Sequence, residues 1–263
     1  MDWSRAKTIF IITFLILDIF LITQVVKQKD ENTFDLMKET SIDEQLKADE
    51  ITFPELPVDP TKENYVEANI KSFSNKELSS LPSQEITISN ETYIQSVLSK
   101  PFVLKKDFTV KDVDQFVQTY IYNGNQYAYW NFDVEKQTIT YYQTYEDKTF
   151  YQNASGKVVL YLNDKDEITS YTQTMLVDIQ EIKEEEIITA YEALVILYNR
   201  HLFQPGSEIT DVDLGYYTLV PDMTSQLLAP TWRFSINGQD DLFVNAVEGH
   251  VFQVSNEEGQ VIE

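Results

Sequence analysis

In this 263-residue sequence, side chains of the types that do chemistry are few and badly spaced for it. Cysteine is absent, which removes thiolate nucleophiles, disulfides, Fe–S ligation and every cysteine-containing zinc site. There are only two histidines. His201 continues an apolar helical stripe seven residues past Leu194, so it is expected to pack at a helix C-terminus, where its charge complements the dipole. His250 follows a Glu-Gly turn at a strand start and is expected at the surface or in a cross-strand pair. Asp211-x-Asp213-x-Gly215 begins like a calcium loop. That loop needs an oxygen ligand fifth and a glycine sixth, and this chain has Gly215 and Tyr216 there. Asp164-Lys165-Asp166 also lacks the glycine and reads as a hairpin turn. There is no His-Glu-x-x-His, no Gly-x-Ser-x-Gly, no phosphate-cradling loop and no dinucleotide fingerprint, and the seven glycines stand singly. Asn90 and Asn153 fit the N-x-[ST] acceptor pattern, which matters only in a host that glycosylates it. A glycosidase-type carboxylate pair carries no information among 43 acids. The expectation is a protein with no catalytic centre, no cofactor and no metal.

The most informative titratable residue is Asp18, because of where it stands. Thr8–Val26 contains fourteen Ile, Leu, Phe or Val residues. As a helix these 19 residues would span about 28 Å, close to the ~30 Å hydrocarbon core. On an insertion scale the apolar residues sum to about -4 to -8 kcal/mol, against roughly +2.5 to +3.5 for a central aspartate. Insertion wins by a modest margin. A cleaved signal peptide is the competing reading, but Thr23-Gln24-Val25-Val26-Lys27 offers no small-x-small site, so an uncleaved anchor is favoured. The N-terminus is expected to be cytoplasmic and the bulk extracellular, since long C-terminal parts cross largely regardless of charge. On a helix, Ile11, Phe14, Leu15, Leu21, Ile22 and Val25 share the face of Asp18. An acid there is expected to sit neutral in a helix–helix contact. Tilting or a shallower depth would also accommodate it.

Composition bounds the rest. The chain has 43 acidic and 20 basic residues, and 40 of the acids and 16 of the bases follow residue 30. That excess excludes nucleic acid, because no basic surface exists to displace counterions. At 43% hydrophobic and 13% aromatic, the chain can fill a sizeable core. Residues 1–7 form a cytoplasmic tip, 8–26 the transmembrane helix and 27–60 a connector. In the connector Ser41-Ile42-Asp43-Glu44 fits a capping box for a short helix, and Pro54, Pro57 and Pro60 stiffen an extended stretch.

Alternation predicts strands at Tyr65–Lys71 and Glu85–Ile88. Thr109 caps a helix whose Val113, Phe116, Val117 and Tyr120 share a face, with Gly124 as its stop. Strands follow at Tyr127–Asp133, Gln137–Tyr145, Lys157–Leu162 and Glu167–Val177. A second helix starts with Glu184, Glu185 and Glu186 as its acidic first turn, has its stripe at Ile187, Ala190, Tyr191, Leu194, Leu197 and Tyr198, and ends at Pro205-Gly206. Strands at Ile209–Val220, Thr231–Ile236, Leu242–Val247 and His250–Val254 complete it. A helix followed by an antiparallel meander, twice, predicts an α+β region of two similar lobes, 61–180 and 181–263. The runs Tyr127–Phe132 and Thr231–Phe234 would hold comparable places in the two.

The opening Met1-Asp2-Trp3-Ser4-Arg5-Ala6-Lys7-Thr8-Ile9-Phe10-Ile11, with Phe14–Leu21 and the later Ser41-Ile42-Asp43-Glu44-Gln45-Leu46, resembles the YycI (WalI) family. The layout of one anchor and an α+β ectodomain is also similar. The resemblance implies a membrane-anchored accessory of a two-component system controlling cell-wall metabolism. It implies a heteromer with a sister protein, YycH, and adjustment of the sensor histidine kinase WalK through transmembrane contacts. Carried onto this chain, the contact surface is the 8–26 helix on its Asp18 face. The family frequently has asparagine at that position, so aspartate preserves the hydrogen-bonding role only in its neutral form. The alternative left open by the residues is a binding module for a cell-wall fragment, peptide or cation.

Overall fold

The structure is a computed structural model and describes residues 13, 15, 17, 42–58, 60–105, 108–220, 224–238, 240–254 and 261–262. The chain divides into two compact units, Met1–Thr52 with Phe203–Glu208, and Phe53–Leu202 with Ile209–Glu263. In the first, helix α1 (42–48) forms where the capping-box pattern predicts, and Ile42 and Leu46 on one face are buried. Its cap residue Ser41 lies outside the described residues. Ile51 N–H donates to the Leu46 carbonyl at 2.9 Å, and Gly206 N–H to the Asp49 carbonyl at 2.8 Å, so the helix end is satisfied by its own unit.

The second unit is mostly sheet with few helices. Its elements run β1 (Lys62–Ile70), α2 (Asn75–Leu78), β2 (Gln84–Ser89), β3 (Tyr93–Val103), α3 (Val110–Tyr120), β4 (Tyr127–Asp133), β5 (Thr138–Tyr145) and β6 (Lys148–Tyr151). There follow β7 (Lys157–Leu162), β8 (Glu167–Gln173), β9 (Leu176–Glu186), α4 (Ala190–Asn199), β10 (Ile209–Thr218), β11 (Ser225–Ile236), β12 (Asp240–Asn245), β13 (Val251–Val254) and β14 (Val261–Ile262). Strands β2-β3-β8-β7-β5-β4 form an antiparallel sheet. One face of it is covered by α3, which Thr109 caps: its N–H and hydroxyl both donate to the Asp112 carboxylate, at 2.9 and 2.8 Å. Val113, Phe116 and Val117 fall at helical spacing, each at most 1% exposed, against Ile94, Ile139, Leu160 and Ile168. Each such burial contributes about 1.5–3 kcal/mol.

A second set of strands gathers on β11. One edge of β11 takes β10; the other takes β1 over Ser225–Leu228 and β12 over Thr231–Ile236. Beyond β1 lies β9, and beyond β12 lie β13 and β14. Helix α4 is tied to one face of this set, since Trp232 donates its indole N–H to the Ile188 carbonyl at 2.8 Å. The two strand sets are joined by the β5–β6 hairpin, which turns through Glu146 and Asp147, both at positive φ. From it β6 runs alongside β10, pairing Phe150 with Tyr216 and Tyr151 with Tyr217, the only parallel strand pairing among the described elements.

Four sequence expectations are corrected. Glu184, Glu185 and Glu186 do not open a helix; they end β9, opposite Asn64, Glu63 and Lys62. The helix starts three residues later, where Thr189 N–H donates to Glu192 at 2.6 Å and the Glu192 N–H donates back to the Thr189 hydroxyl at 3.2 Å. That reciprocal cap satisfies orphan donors, which an acidic run does not. His201 is exposed in the turn after α4 with φ of 56°, not packed on the stripe. Past α3, the left-handed position is Asn123 (φ 49°), and Gly124 is required because the Val117 carbonyl occupies the space of a Cβ. The two aromatic runs are not equivalent: among the described residues β4 has only β5 as neighbour, whereas β11 is flanked on both edges.

Candidate functional site

Of the residues expected to form the partner-binding face, Ile11, Phe14, Asp18, Leu21, Ile22 and Val25 lie outside the described residues. Leu15 is helical and 56% exposed. Among the described residues no helix is long and apolar enough to cross a membrane, and no group of three or more His, Cys, Asp or Glu is placed to hold a metal ion. Asn153 is 4% exposed, and its amide donates to Thr218 Oγ1 at 2.6 Å and to Gln226 Oε1 at 2.8 Å. Its Oδ1 accepts from the Ser155 N–H at 2.7 Å, so the acceptor pattern there is a buried structural turn.

The structure brings together residues that sequence reasoning left apart. Alternation along β10 puts Asp211 and Asp213 on one face, and the register sets Asp213 directly opposite Arg233 of β11. Nη2 of Arg233 donates to Asp211 Oδ2 and Asp213 Oδ2, both at 2.6 Å, and Nη1 stands 3.7 Å from Asp241 Oδ1. The guanidinium lies 4.9 Å from the ring centroid of Trp130, on β4, so the two aromatic runs meet here. Tyr151 of β6 is 2% exposed, and among the described residues its hydroxyl has no hydrogen-bond partner. Its ring lies where Gly215 lacks a side chain: a Cβ there would stand 2.5 Å from Tyr151 Cζ and 2.5 Å from the Thr149 carbonyl.

These groups line a recess of about 220 Å³, bounded by Tyr129, Trp130, Asp147, Thr149, Tyr151, Asp213, Leu214 and Arg233. Burial, with the Asp213 carboxylate adding to it, pushes the Tyr151 hydroxyl well above its ordinary value, so it stays protonated. Burial also raises Asp213 and Asp241, with Arg233 pulling both the other way. For Arg233 burial opposes the charge, but Asp241 and Asp213 outweigh it and the net shift is upward. The recess is therefore acidic, polar and partly apolar-walled, with one cation already neutralised. A larger concavity of about 590 Å³ lies on the first sheet around Glu85, Val97, Ser170 and Tyr161, a row in register across β2, β3, β8 and β7, and gathers no comparable set of charges. The one legible signal for the acidic site was the Asp-x-Asp spacing; Arg233, Tyr151 and Trp130 join it only through pairing between distant strands.

The family model described as "YycI protein" matches residues 31–247. This chain belongs to the YycI family. Among curated proteins none is a significant sequence match. Similar solved structures include an uncharacterized protein from Eubacterium rectale ATCC 33656 at 10% identity, covering 79% of this chain and 92% of that one with a TM-score of 0.47. YycH from Bacillus subtilis is 15% identical with a TM-score of 0.45; 70% of this YycI-family chain is covered and only 52% of YycH. The Bacillus megaterium YpeB C-terminal domain is 10% identical with a TM-score of 0.40, over 76% of this chain and 93% of that domain.

Proposed function

We propose that this YycI-family chain is a non-catalytic, membrane-anchored regulator in a WalK/WalR-type two-component system controlling cell-wall metabolism. The observation that carries the reading is the family match over residues 31–247. The apolar run Thr8–Val26 immediately before it supplies an anchor of the right length. In this reading the N-terminus is cytoplasmic and the region after residue 26 is extracellular. The helix contacts a WalK-like kinase through Ile11, Phe14, Leu15, Asp18, Leu21, Ile22 and Val25, while the ectodomain pairs with a YycH-like sister protein. Regulation is a change in the populations of kinase states, driven by helix packing that differs between them.

The test is photo-crosslinking in intact membranes, with probes at Ile11, Leu15 and Ile22 and a control at Ile12 on another face. Adducts with a sensor kinase or a second single-pass protein, confined to the Asp18 face, are expected. Asp18→Leu at equal protein level should weaken kinase association and leave ectodomain melting unchanged; unchanged association removes Asp18 from the contact. A second reading, an extracellular module for a wall fragment, peptide or cation, is favoured by one observation, the acidic recess beside Tyr151.

A further inference from the structure

The first sheet has two faces of opposite character. Alternation along its strands turns Ile94, Tyr171, Leu160 and Ile139 into the core, and Gln95, Thr172, Val159 and Thr140 the other way. That second face is open: Val97 is 60% exposed and Tyr161 39%, although β3, β8 and β7 are each paired on both edges. Its concavity of about 590 Å³ is nearly uncharged on a chain of net charge -23, since of the ten residues that bound it only Glu85 is of a charged type. Thr87, Gln95, Ser170 and Thr172 bring hydroxyl and amide groups to it, and none of these side chains hydrogen-bonds to another described residue. Tyr93 of β3 and Tyr161 of β7 flank it from either side of β8.

We propose that this sheet face binds a short, uncharged oligosaccharide. Sugar hydroxyls both donate and accept, as the side chains of Ser, Thr and Gln do, and they need no counter-charge. The C–H faces of sugar rings pack on exposed aromatic rings, which Tyr93 and Tyr161 provide, and Val97 adds a further apolar contact. The volume falls in the range of small-ligand sites, enough for a few sugar rings. Open strand faces serve the same purpose in OB-folds. Other occupants fit less well. A polyanion is repelled by the net charge, and a second copy of this chain would bring another 23 negative charges. A strand-like peptide needs free backbone groups, and those of β3, β8 and β7 are already paired on both sides. The assignment stands on the sheet face and does not depend on the regulatory reading, which the crosslinking tests separately.

The experiment is calorimetric titration of the purified full-length chain in lauryldimethylamine oxide, a detergent without a sugar headgroup. The ligands are chitotetraose, cellotetraose and, as a control, an uncharged hexapeptide of serine, glycine and glutamine. Saturable binding of at least one tetrasaccharide is expected, and none of the peptide. Binding of chitotetraose alone identifies an N-acetylated chain as the ligand; binding of cellotetraose shows that the hydroxyls suffice. Affinity should be the same at about 10 mM and about 150 mM NaCl, because no contact relies on charge. Tyr161→Ala should weaken binding about threefold to tenfold, the loss of a stacked ring, and Gln95→Leu by a similar factor. Val97→Lys, at a side chain already 60% exposed, should melt at the wild-type temperature and abolish binding by filling the groove. No saturable binding of either tetrasaccharide, equal binding of the peptide, a strong salt dependence, or wild-type affinity in both Tyr161→Ala and Val97→Lys would each overturn the assignment.

Discussion

Arg233 is held by charge from one side and by an aromatic ring from the other, and its side chain is only 16% exposed. Removing it leaves Asp213 and Asp241 facing each other in a partly dry site. Arg233→Met is expected to cost about 3 kcal/mol in urea unfolding, the lower end for breaking a buried ion pair, because Asp211 and Asp213 keep solvent access. The loss depends on pH with a definite sign. Asp213 and Asp241 are raised from the ordinary 3.8, so the folded state binds their protons more tightly than the unfolded chain. Their contribution grows as pH falls through the raised values toward 3.8. Without the guanidinium the rise is larger, so Arg233→Met should recover part of its deficit in unfolding titrations run from neutral pH into that window. A deficit constant with pH would mean that the arginine acts through packing on Trp130 alone.

The strand β6 is four residues long, and two residue pairs attach it to β10. That short contact is made possible by Gly215, whose missing side chain leaves room for the Tyr151 ring and the Thr149 carbonyl. Gly215→Ala should therefore destabilise the protein by about 1–3 kcal/mol, because a backbone carbonyl cannot step aside as a side chain can. Differential scanning calorimetry measures this, and faster amide exchange at Phe150 and Tyr151 would locate the loss at β6. What was legible in the sequence at this scale followed local chemistry. The Thr109 cap, the Val113-Phe116-Val117 face and the strands Tyr127–Asp133 and Lys157–Leu162 are written in neighbouring residues, and each was read within a residue or two. The acidic end of β9 was missed because its strand character comes from β1, far along the chain; β3 and β6 were missed although each closes a hairpin with the strand just before it. Glu184 to Glu186 look helical in isolation and become strand only opposite Lys62 to Asn64. Beyond the Asp211-x-Asp213 spacing the acidic recess was invisible as well: its groups come from β4, β6, β10, β11 and the β5–β6 turn, and no local spacing connects those elements.

At the scale of the whole molecule the chain carries a formal charge of -23, and the ion pairs beyond Arg233 and Lys148 are mostly exposed and weak. Self-repulsion should then dominate the salt response. Raising NaCl from about 10 mM to about 150 mM shortens the screening length from roughly 30 Å to roughly 8 Å. The melting temperature is expected to rise over that range, and a fall would mean that specific ion pairs outweigh the net charge. The pairing of β1 has a further consequence, one of timing. β1 is synthesised before every other described strand, yet its neighbours are β9 and residues 225–228 of β11. The first sheet closes through strands drawn from residues 84–173, so it can be complete while β1 still waits. Closing the loop from β1 to β11 is the long-range and therefore slow step of folding. A nascent chain halted before Ser225 would hold a finished sheet and a β1–β9 pair with one edge of β1 open to other chains, so the final stretch of the message decides whether the first strand is ever safely put away.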